Sequence, residues 1–181
     1  MHTATWWRTS PAVRQRALGA LLFAVLTAIS ARISVPLPFT PVPLTLQVLV
    51  VVLSGLVLGP WAGLVSQVLY LQAVLLGLSV TSMGLTGPAA FVAPTAGYLI
   101  AFPLASAVAG AIAHRSESRA ALRRALASVA AIVVIYALGT LWLSTYVGSL
   151  ATAWALGVVP FLLPDALKLV IANAGISLRR C

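Results

Sequence analysis

Asp165 and Lys168 are the two ionisable residues that lie well inside a long apolar stretch of this 181-residue chain. Their spacing of three places both side chains on one face of a helix. Pro164 precedes the pair and can begin that helix, which would put Asp165 in the first turn, where the helix dipole favours a carboxylate. Charges in such a stretch either serve a polar ligand or pair with each other to fix helix packing. The pair therefore predicts a polar binding site, with a purely structural ion pair as the alternative.

Few other side chains could carry out chemistry. The acidic residues are Glu117 and Asp165, and the histidines, His2 and His114, lie outside the apolar stretches. A serine nucleophile would therefore have no histidine base beside it in an apolar helix, and the chain contains no P-loop motif for nucleotide hydrolysis. The single cysteine, Cys181, excludes an intrachain disulfide and a cysteine-based metal site. We expect no enzyme, no metal and no cofactor, and transport against a gradient would need energy from a partner.

The composition is typical of an integral membrane protein. Hydrophobic residues make up 61% of the chain and charged residues 7%, whereas soluble domains carry about 25% charged residues. Because a spanning helix needs about 20 apolar residues, we predict an all-α protein with six transmembrane helices in one bundle. A basic lead, residues 1–16, precedes this single membrane domain, residues 17–181. The six spans are predicted at residues 17–34, 44–58, 61–78, 89–113, 125–146 and 160–178, with a short surface or re-entrant helix within 147–159.

Proline and glycine divide the predicted spans. Residues 35–43 contain four prolines, and each lacks a backbone donor and cannot continue a helix. This segment is therefore expected to be an extended loop at the membrane surface. Gly59 and Pro60 predict a very short turn between the second and third spans, which should be antiparallel neighbours. Pro94 and Pro103 are expected to break the fourth span.

The basic residues predict the orientation in the membrane. Eleven basic residues against two acidic ones give a net charge of +9. They form short clusters between apolar stretches rather than a face interleaved with aromatic residues, so nucleic-acid binding is not expected. With six spans, nine arginines fall on one side and Arg32 falls alone on the other, and the positive-inside rule then places both termini in the cytoplasm. The nine are Arg8, Arg14, Arg16, Arg115, Arg119, Arg123, Arg124, Arg179 and Arg180.

Several motifs resemble the BioY family, the biotin-binding S components of energy-coupling-factor transporters. Residues 36–47, P-L-P-F-T-P-V-P-L-T-L-Q, are similar to that family's P-L-P-F-T-P-V-P-x-T-L-Q signature. Residues 58–60 and 69–71, L-G-P and L-Y-L, fit its next segment, and residues 93–98, A-P-T-A-G-Y, resemble its G-P-T-G-G-Y. Residues 160–168 begin with P-F and end with D-x-x-K, as in the last motif of the family. The resemblance covers about residues 17–178.

The resemblance implies an S component of the bacterial plasma membrane that binds biotin from outside and serves its uptake. It also implies a transmembrane T component and ATP-binding-cassette ATPases as partners. Ala20, Ala24 and Ala28, spaced by four, resemble the small-residue face by which S components contact the T component, and small residues let helices approach closely. Asp165 and Lys168 match residues implicated in biotin binding. The predicted substrate-binding residues are Asp165, Lys168, Gln47, Tyr98, Thr40, Thr45, Tyr70 and Thr95.

The chemistry of these residues suits biotin. Asp165 can accept from the ureido N–H groups, Lys168 can donate to the ureido carbonyl or the valerate carboxylate, and Gln47 can do either. The proline-rich residues 35–43 predict a stiff outer lid, whose rigidity would lower the ordering cost of closing over a ligand. Three alternatives stay open: an S component for another small vitamin, a proton-coupled carrier that uses Asp165, and a non-transport membrane subunit whose Asp165–Lys168 pair is only structural.

Overall fold

A computed structural model describes residues 11–115 and 120–178 of the chain. Most of these residues are helical. In chain order the helices are α1 (Pro11–Arg32), α2 (Gln47–Leu58), α3 (Pro60–Leu75), α4 (Ala96–Ala113), α5 (Ala120–Val147), α6 (Leu150–Gly157) and α7 (Leu162–Leu178). Short 3-10 helices cover Gly87–Phe91 and Val159–Phe161. A two-residue antiparallel ladder between β1 (Ser34–Val35) and β2 (Leu44–Thr45) closes the proline-rich loop. The all-α prediction is confirmed apart from this ladder.

Four segments of the described chain are long and apolar enough to cross a membrane: residues 12–32, 96–113, 120–147 and 150–174. Helices α2 and α3 are apolar but have only 12 and 16 residues. At 1.5 Å per residue they are about 18 and 24 Å long, less than the roughly 30 Å thickness of the hydrocarbon core. The chain is therefore a multi-pass helical membrane protein in which two of the helices are shorter than a full span.

The start of α2 differs from the prediction because two residues of the expected span pair as a strand. The span was predicted from residue 44, but Leu44 and Thr45 pair with β1. The Thr45 hydroxyl then accepts the backbone N–H of Gln47 at 3.3 Å. This bond satisfies one of the orphan donors at a helix start, so the helix begins at Gln47.

The fourth predicted span, residues 89–113, is broken at Pro94, as expected, but its part before Pro94 is not α-helical. A 3-10 helix occupies Gly87–Phe91, and α4 begins at Ala96, two residues after Pro94. A proline disfavours helical geometry in the residue before it, which separates the two segments. Pro103, by contrast, lies inside α4 without ending it. The first helix, α1, begins at Pro11, earlier than predicted and within the basic lead. The short helix expected within residues 147–159 is present as α6.

Helix α4 lies at the centre of the bundle and packs against α2, α3 and α5. Alanines of both α4 and α5 are fully buried in the bundle, namely Ala101, Ala105, Ala109, Ala127 and Ala131. Gly97 of α4 lies directly against α5, because a Cβ there would overlap the Cβ of Trp142. Small residues let transmembrane helices approach closely, because van der Waals packing drives helix association in lipid. The sequence of α4 therefore makes it the helix around which the others assemble.

The α2–α3 turn is fixed against α4 by glycine. Gly59 ends α2 with a φ of +83°, a conformation that glycine adopts without strain, and Pro60 begins α3. Gly110 of α4 lies directly beneath this turn, and a Cβ there would overlap the backbone of Gly59 and Pro60. Helices α2 and α3 contact each other, as the short turn predicted. The two short helices thus form a hairpin that sits on α4.

Candidate functional site

A cavity lies at the end of the bundle where α2, α4 and α7 begin. Its walls combine helix residues with residues of the connecting segments. The helices contribute Gln47, Val48, Tyr98, Leu99, Phe102, Ile135, Tyr136, Gly157, Asp165 and Lys168. The connecting segments contribute Val42, Pro43, Thr45, Thr81, Ser82, Met83, Leu85, Ala90, Thr95 and Phe161. The lining is thus mainly apolar, with a few polar groups that converge on one space, which is the usual constitution of a small-ligand site.

Asp165 and Lys168 form an ion pair inside this cavity. Asp165 is 3% exposed and Lys168 is 7% exposed. The Lys168 ammonium donates to Oδ1 of Asp165 at 2.6 Å, and the Tyr136 hydroxyl donates to Oδ2 at 2.7 Å. Each carboxylate oxygen therefore has a donor, which is the condition under which a buried charge is tolerated. Asp165 lies in the first turn of α7, as predicted.

The pair keeps hydrogen-bonding capacity for a ligand. An ionised carboxylate offers about four lone-pair sites, and an ammonium has three donors. Within the described residues, Asp165 receives two hydrogen bonds and Lys168 makes one. Acceptor sites on Asp165 and donors on Lys168 therefore stay available in the cavity without breaking the ion pair.

Gln47 joins three elements beside the pair. Its amide nitrogen donates to the Tyr70 hydroxyl at 2.8 Å, and that hydroxyl donates to the carbonyl of Val80 at 3.1 Å. Gln47 begins α2, Tyr70 belongs to α3, and Val80 lies in the loop after α3. This chain of bonds fixes the amide of Gln47 at the cavity wall and holds the loop that carries Thr81, Ser82 and Met83 over the same space.

Tyr98 is held between α5 and α6. Its hydroxyl donates to the carbonyl of Gly157 at 3.0 Å. A Cβ on Gly139 would overlap the Tyr98 ring, and a Cβ on Gly157 would overlap its hydroxyl oxygen. Two glycines therefore make the slot in which this aromatic ring forms part of the cavity wall.

Six of the eight predicted substrate-binding residues line the cavity: Asp165, Lys168, Gln47, Tyr98, Thr45 and Thr95. Thr40 and Tyr70 lie outside the lining. The Thr40 hydroxyl instead donates to the carbonyl of Leu156 at 2.8 Å and so attaches the proline-rich loop to α6. Tyr70 supports the site from behind, through Gln47. A direct role for these two residues in ligand binding would need a different arrangement of the loop or of α3.

The small residues of α1 lie against the chain's own bundle. Ala20 is 2% exposed and Ala24 is 7% exposed, whereas Ala28 is half-buried. Helix α1 packs against α2 and α3, and a Cβ on the neighbouring Gly19 would lie 2.7 Å from the Leu58 side chain of α2. In this conformation the alanine spacing therefore serves contacts within the chain.

Tyr136 was missed as a site residue by the sequence analysis. A single tyrosine inside an apolar helix is explained equally well by a hydrogen bond between helices, and 29 residues separate it from Asp165. The one available signal is that a buried carboxylate needs a second donor besides Lys168. Thr81, Ser82 and Met83 were also missed, because they lie in a loop whose path the sequence does not define.

The sequence model of the BioY family matches residues 4–180. The chain belongs to the BioY family. Among its relatives, the probable biotin transporter BioY of Pyrococcus horikoshii is 43% identical over 151 residues, which is 83% of this chain and 87% of that one. The biotin transporter BioY of Thermotoga maritima is 42% identical over 159 residues, or 87% and 90% of the two chains.

A solved structure shares the fold of this BioY-family chain. The crystal structure of the S-component for biotin from an ECF-type ABC transporter superposes with a TM-score of 0.85 and covers 96% of both chains at 24% identity. At 24% identity this structural similarity shows that the two chains share a fold. In this BioY-family chain, the proline-rich motif, the motif around Tyr98 and the motif that ends with Lys168 all meet at one cavity.

Proposed function

We propose that this chain captures biotin from outside the cell and serves its uptake as the substrate-specific S component of an energy-coupling-factor transporter, and that it is not an enzyme. The observation that carries this proposal is the Asp165–Lys168 pair, buried beside Tyr136 in a mainly apolar cavity of a BioY-family chain. The names of the relatives, which are biotin transporters or probable ones, support the same ligand.

Biotin matches the polar groups of the cavity. Its ureido ring carries two N–H donors and one carbonyl acceptor, and its valerate ends in a carboxylate. Asp165 accepts from the ureido N–H groups, and Lys168 donates to the ureido carbonyl or to the valerate. Gln47 can supply either kind of bond. The side chains of Phe102 and Phe161 provide apolar walls for the thiophane ring and the acyl chain.

The membrane arrangement that we propose has six crossings, with both termini in the cytoplasm of a bacterium and the cavity on the outer side of the plasma membrane. The lead, residues 1–16, then precedes one membrane domain, residues 17–181. Helices α2, α4 and α7 begin at the cavity end, and the opposite end carries Arg115, Arg123 and Arg124. The positive-inside rule supports this orientation.

The partners that we propose are a transmembrane T component and ATP-binding-cassette ATPases, which would supply the energy that this chain lacks. Helix α1 leaves room for such a contact, because one side of it carries exposed apolar residues such as Leu21, Leu22 and Val25, which face lipid when the chain is alone. The contact predicted at Ala20, Ala24 and Ala28 would require α1 to rotate or to separate from α2 and α3.

The test is biotin binding to the purified chain in detergent, measured by calorimetry without ATP or partners. The wild type should bind biotin tightly at a ratio near one to one. The double variant Asp165→Asn/Lys168→Met removes both charges with little change in volume and should lose binding while its thermal unfolding stays cooperative. An exposed-site variant on α3, Gln72→Leu, is the matched control and should bind as the wild type does.

Two outcomes would overturn the proposal. If the folded wild type binds no biotin, the ligand is wrong. If the double variant binds biotin as tightly as the wild type, the ion pair is structural and the binding site lies elsewhere.

A further inference from the structure

A second groove runs between α5 and α7, toward the end of the bundle opposite the biotin site. Its lining includes Ala121, Arg124, Ala125 and Val129 of α5 and Leu169 and Val170 of α7. Val129 is 53% exposed and Val170 is 66% exposed. The groove is therefore mainly apolar and open to the surroundings of the bundle, and its polar lining residues are Arg124 and Asn173.

Arg124 is the buried cation of this groove, with 8% of its surface exposed. The Ser128 hydroxyl donates to the Arg124 carbonyl at 2.7 Å, and the Asn173 amide of α7 donates to the same hydroxyl at 3.1 Å. These bonds tie α5 to α7 at the level of the groove. Arg124 therefore belongs to a part of α5 that is attached to α7, rather than to a flexible surface segment.

The chain has too few carboxylates to neutralise this end of the bundle. Its two acidic side chains are Asp165 and Glu117. Asp165 is bound by Lys168 and Tyr136 in the cavity at the other end. Glu117 alone stands in sequence among four arginines, Arg115, Arg119, Arg123 and Arg124. The basic side chains of this segment therefore outnumber its acidic one, and the resulting net positive charge favours the binding of anions at this end of the bundle.

We propose that the groove between α5 and α7 binds one anionic phospholipid. Its phosphate meets the Arg124 guanidinium, and an acyl chain follows Val129 and Val170. A guanidinium has five donors in a planar fork that suits phosphate, so it can hold a lipid headgroup while it keeps partners within the chain. Basic pockets between transmembrane helices near the cytoplasmic surface are suited to such headgroups. A free anion would match Arg124 but would leave the apolar walls unused.

The test is native mass spectrometry of the full chain in detergent, titrated with phosphatidylglycerol, with phosphatidylcholine of the same acyl chains, or with inorganic phosphate. The wild type should retain one phosphatidylglycerol in preference to phosphatidylcholine. Arg124→Gln should weaken that binding about tenfold or more, as expected for the loss of a charge-assisted hydrogen bond. Ala125→Phe, which fills the groove from an exposed position and keeps the arginine, should also reduce it.

The matched control is Arg14→Gln, which removes an exposed arginine of α1 and should leave phosphatidylglycerol binding unchanged. Equal losses in Arg14→Gln and Arg124→Gln would show that net charge alone attracts the lipid and would overturn the site. If phosphatidylcholine is retained as strongly as phosphatidylglycerol, the proposed headgroup contact is wrong. If inorganic phosphate at equal concentration displaces the lipid, the proposed role of the acyl chain is wrong. If Arg124→Gln does not fold, undiminished binding by Ala125→Phe overturns the proposal.

Discussion

The Tyr136 hydroxyl donates a hydrogen bond of 2.7 Å to Oδ2 of Asp165, across 29 residues of sequence. Lys168 binds the other oxygen at 2.6 Å, from the same helix as the carboxylate. The orientation of Asp165 is therefore fixed from α5 as well as from α7. Tyr136 both lines the cavity and positions the group that we propose to bind the ureido ring.

Tyr136→Phe should weaken biotin binding about tenfold, because hydrogen bonds to charged groups contribute about 1.5–3 kcal/mol. The variant keeps the ring and its packing but leaves Oδ2 of Asp165 without its donor. Calorimetry of the purified chain measures the affinity, and thermal unfolding shows whether the fold is intact.

The control for this prediction is Tyr146→Phe. Tyr146 is also on α5 and donates to a backbone carbonyl, that of Val92, but it lies outside the cavity lining. Its affinity for biotin should equal that of the wild type. An unchanged affinity in Tyr136→Phe would show that Lys168 alone orients the carboxylate.

Lys168→Met should destabilise the chain more than the double variant Asp165→Asn/Lys168→Met does, because only the single variant leaves a buried charge without its partner. Lys168→Met strands a buried carboxylate, and breaking a buried pair by removing one partner costs about 3–5 kcal/mol. Asp165→Asn/Lys168→Met removes both charges and should cost much less, since replacing a whole buried pair is often neutral. Unfolding of both variants in detergent measures this order. A double variant less stable than Lys168→Met would contradict it.

The sequence was sufficient to predict most helices and the ion pair that the cavity contains. A carboxylate and an ammonium three residues apart in an apolar stretch must pair or serve a ligand, and Asp165 and Lys168 do pair. Prolines and glycines predicted the loop before α2 and the turn at Gly59 for a local reason, since both act on their own backbone. The start of α4 was mispredicted, because hydrophobicity alone does not separate a 3-10 helix from an α-helix.

Long-range contacts explain what the sequence could not predict. The position of Tyr136 beside Asp165 depends on how α5 packs on α7, and a pattern in one helix carries no information on that. The spacing of Ala20 and Ala24 predicted a close helix contact, and the residues are buried, but the structure places them against the chain's own helices. Small residues indicate that a helix approaches closely without indicating which helix it is.

Ala24→Leu should destabilise the isolated chain, because Ala24 is 7% exposed and extra methyl groups in a packed site cost about 1–3 kcal/mol. Val25→Leu, at a position 47% exposed on the same helix, is the control and should leave stability unchanged. Thermal unfolding without partners measures both. If Ala24→Leu keeps full stability and loses only co-purification with a T component, Ala24 contacts the partner rather than the bundle.

Gly157→Ala should displace Tyr98 and weaken biotin binding, because the added Cβ overlaps the Tyr98 hydroxyl oxygen. Removing that atom should relieve the clash, so Gly157→Ala/Tyr98→Phe should bind biotin more tightly than Gly157→Ala alone. Calorimetry of the two variants measures the rescue. Gly139→Ala is the matched control, because its Cβ meets ring carbons that phenylalanine keeps. Tyr98→Phe should therefore not rescue Gly139→Ala, and equal rescue of both would contradict this assignment of the clashes.

Gln67→Leu should loosen the attachment of α1. Gln67 has no exposed surface, and its amide nitrogen lies 3.3 Å from the Thr27 hydroxyl of α1, 3.2 Å from Ser54 and 3.1 Å from Ser66. Hydrogen bonds between transmembrane helices average about 0.6 kcal/mol, so the free energy of unfolding should fall by about 1–2 kcal/mol.

The matched control is Gln72→Leu, the same change at an exposed position of α3, which should alter stability by less than about 0.5 kcal/mol. Reversible unfolding in mixed micelles measures both variants. Gln67 lies one turn from Tyr70, which holds Gln47 at the cavity wall. If α3 keeps its position when α1 is loosened, the biotin affinity of Gln67→Leu should stay within about twofold of that of the wild type. A large loss of biotin affinity in Gln67→Leu would show that the hydrogen bonds of Gln67 also hold α3 in place at the cavity. Equal stability of Gln67→Leu and Gln72→Leu would contradict the prediction, because the hydrogen bonds of Gln67 would then not stabilise the bundle.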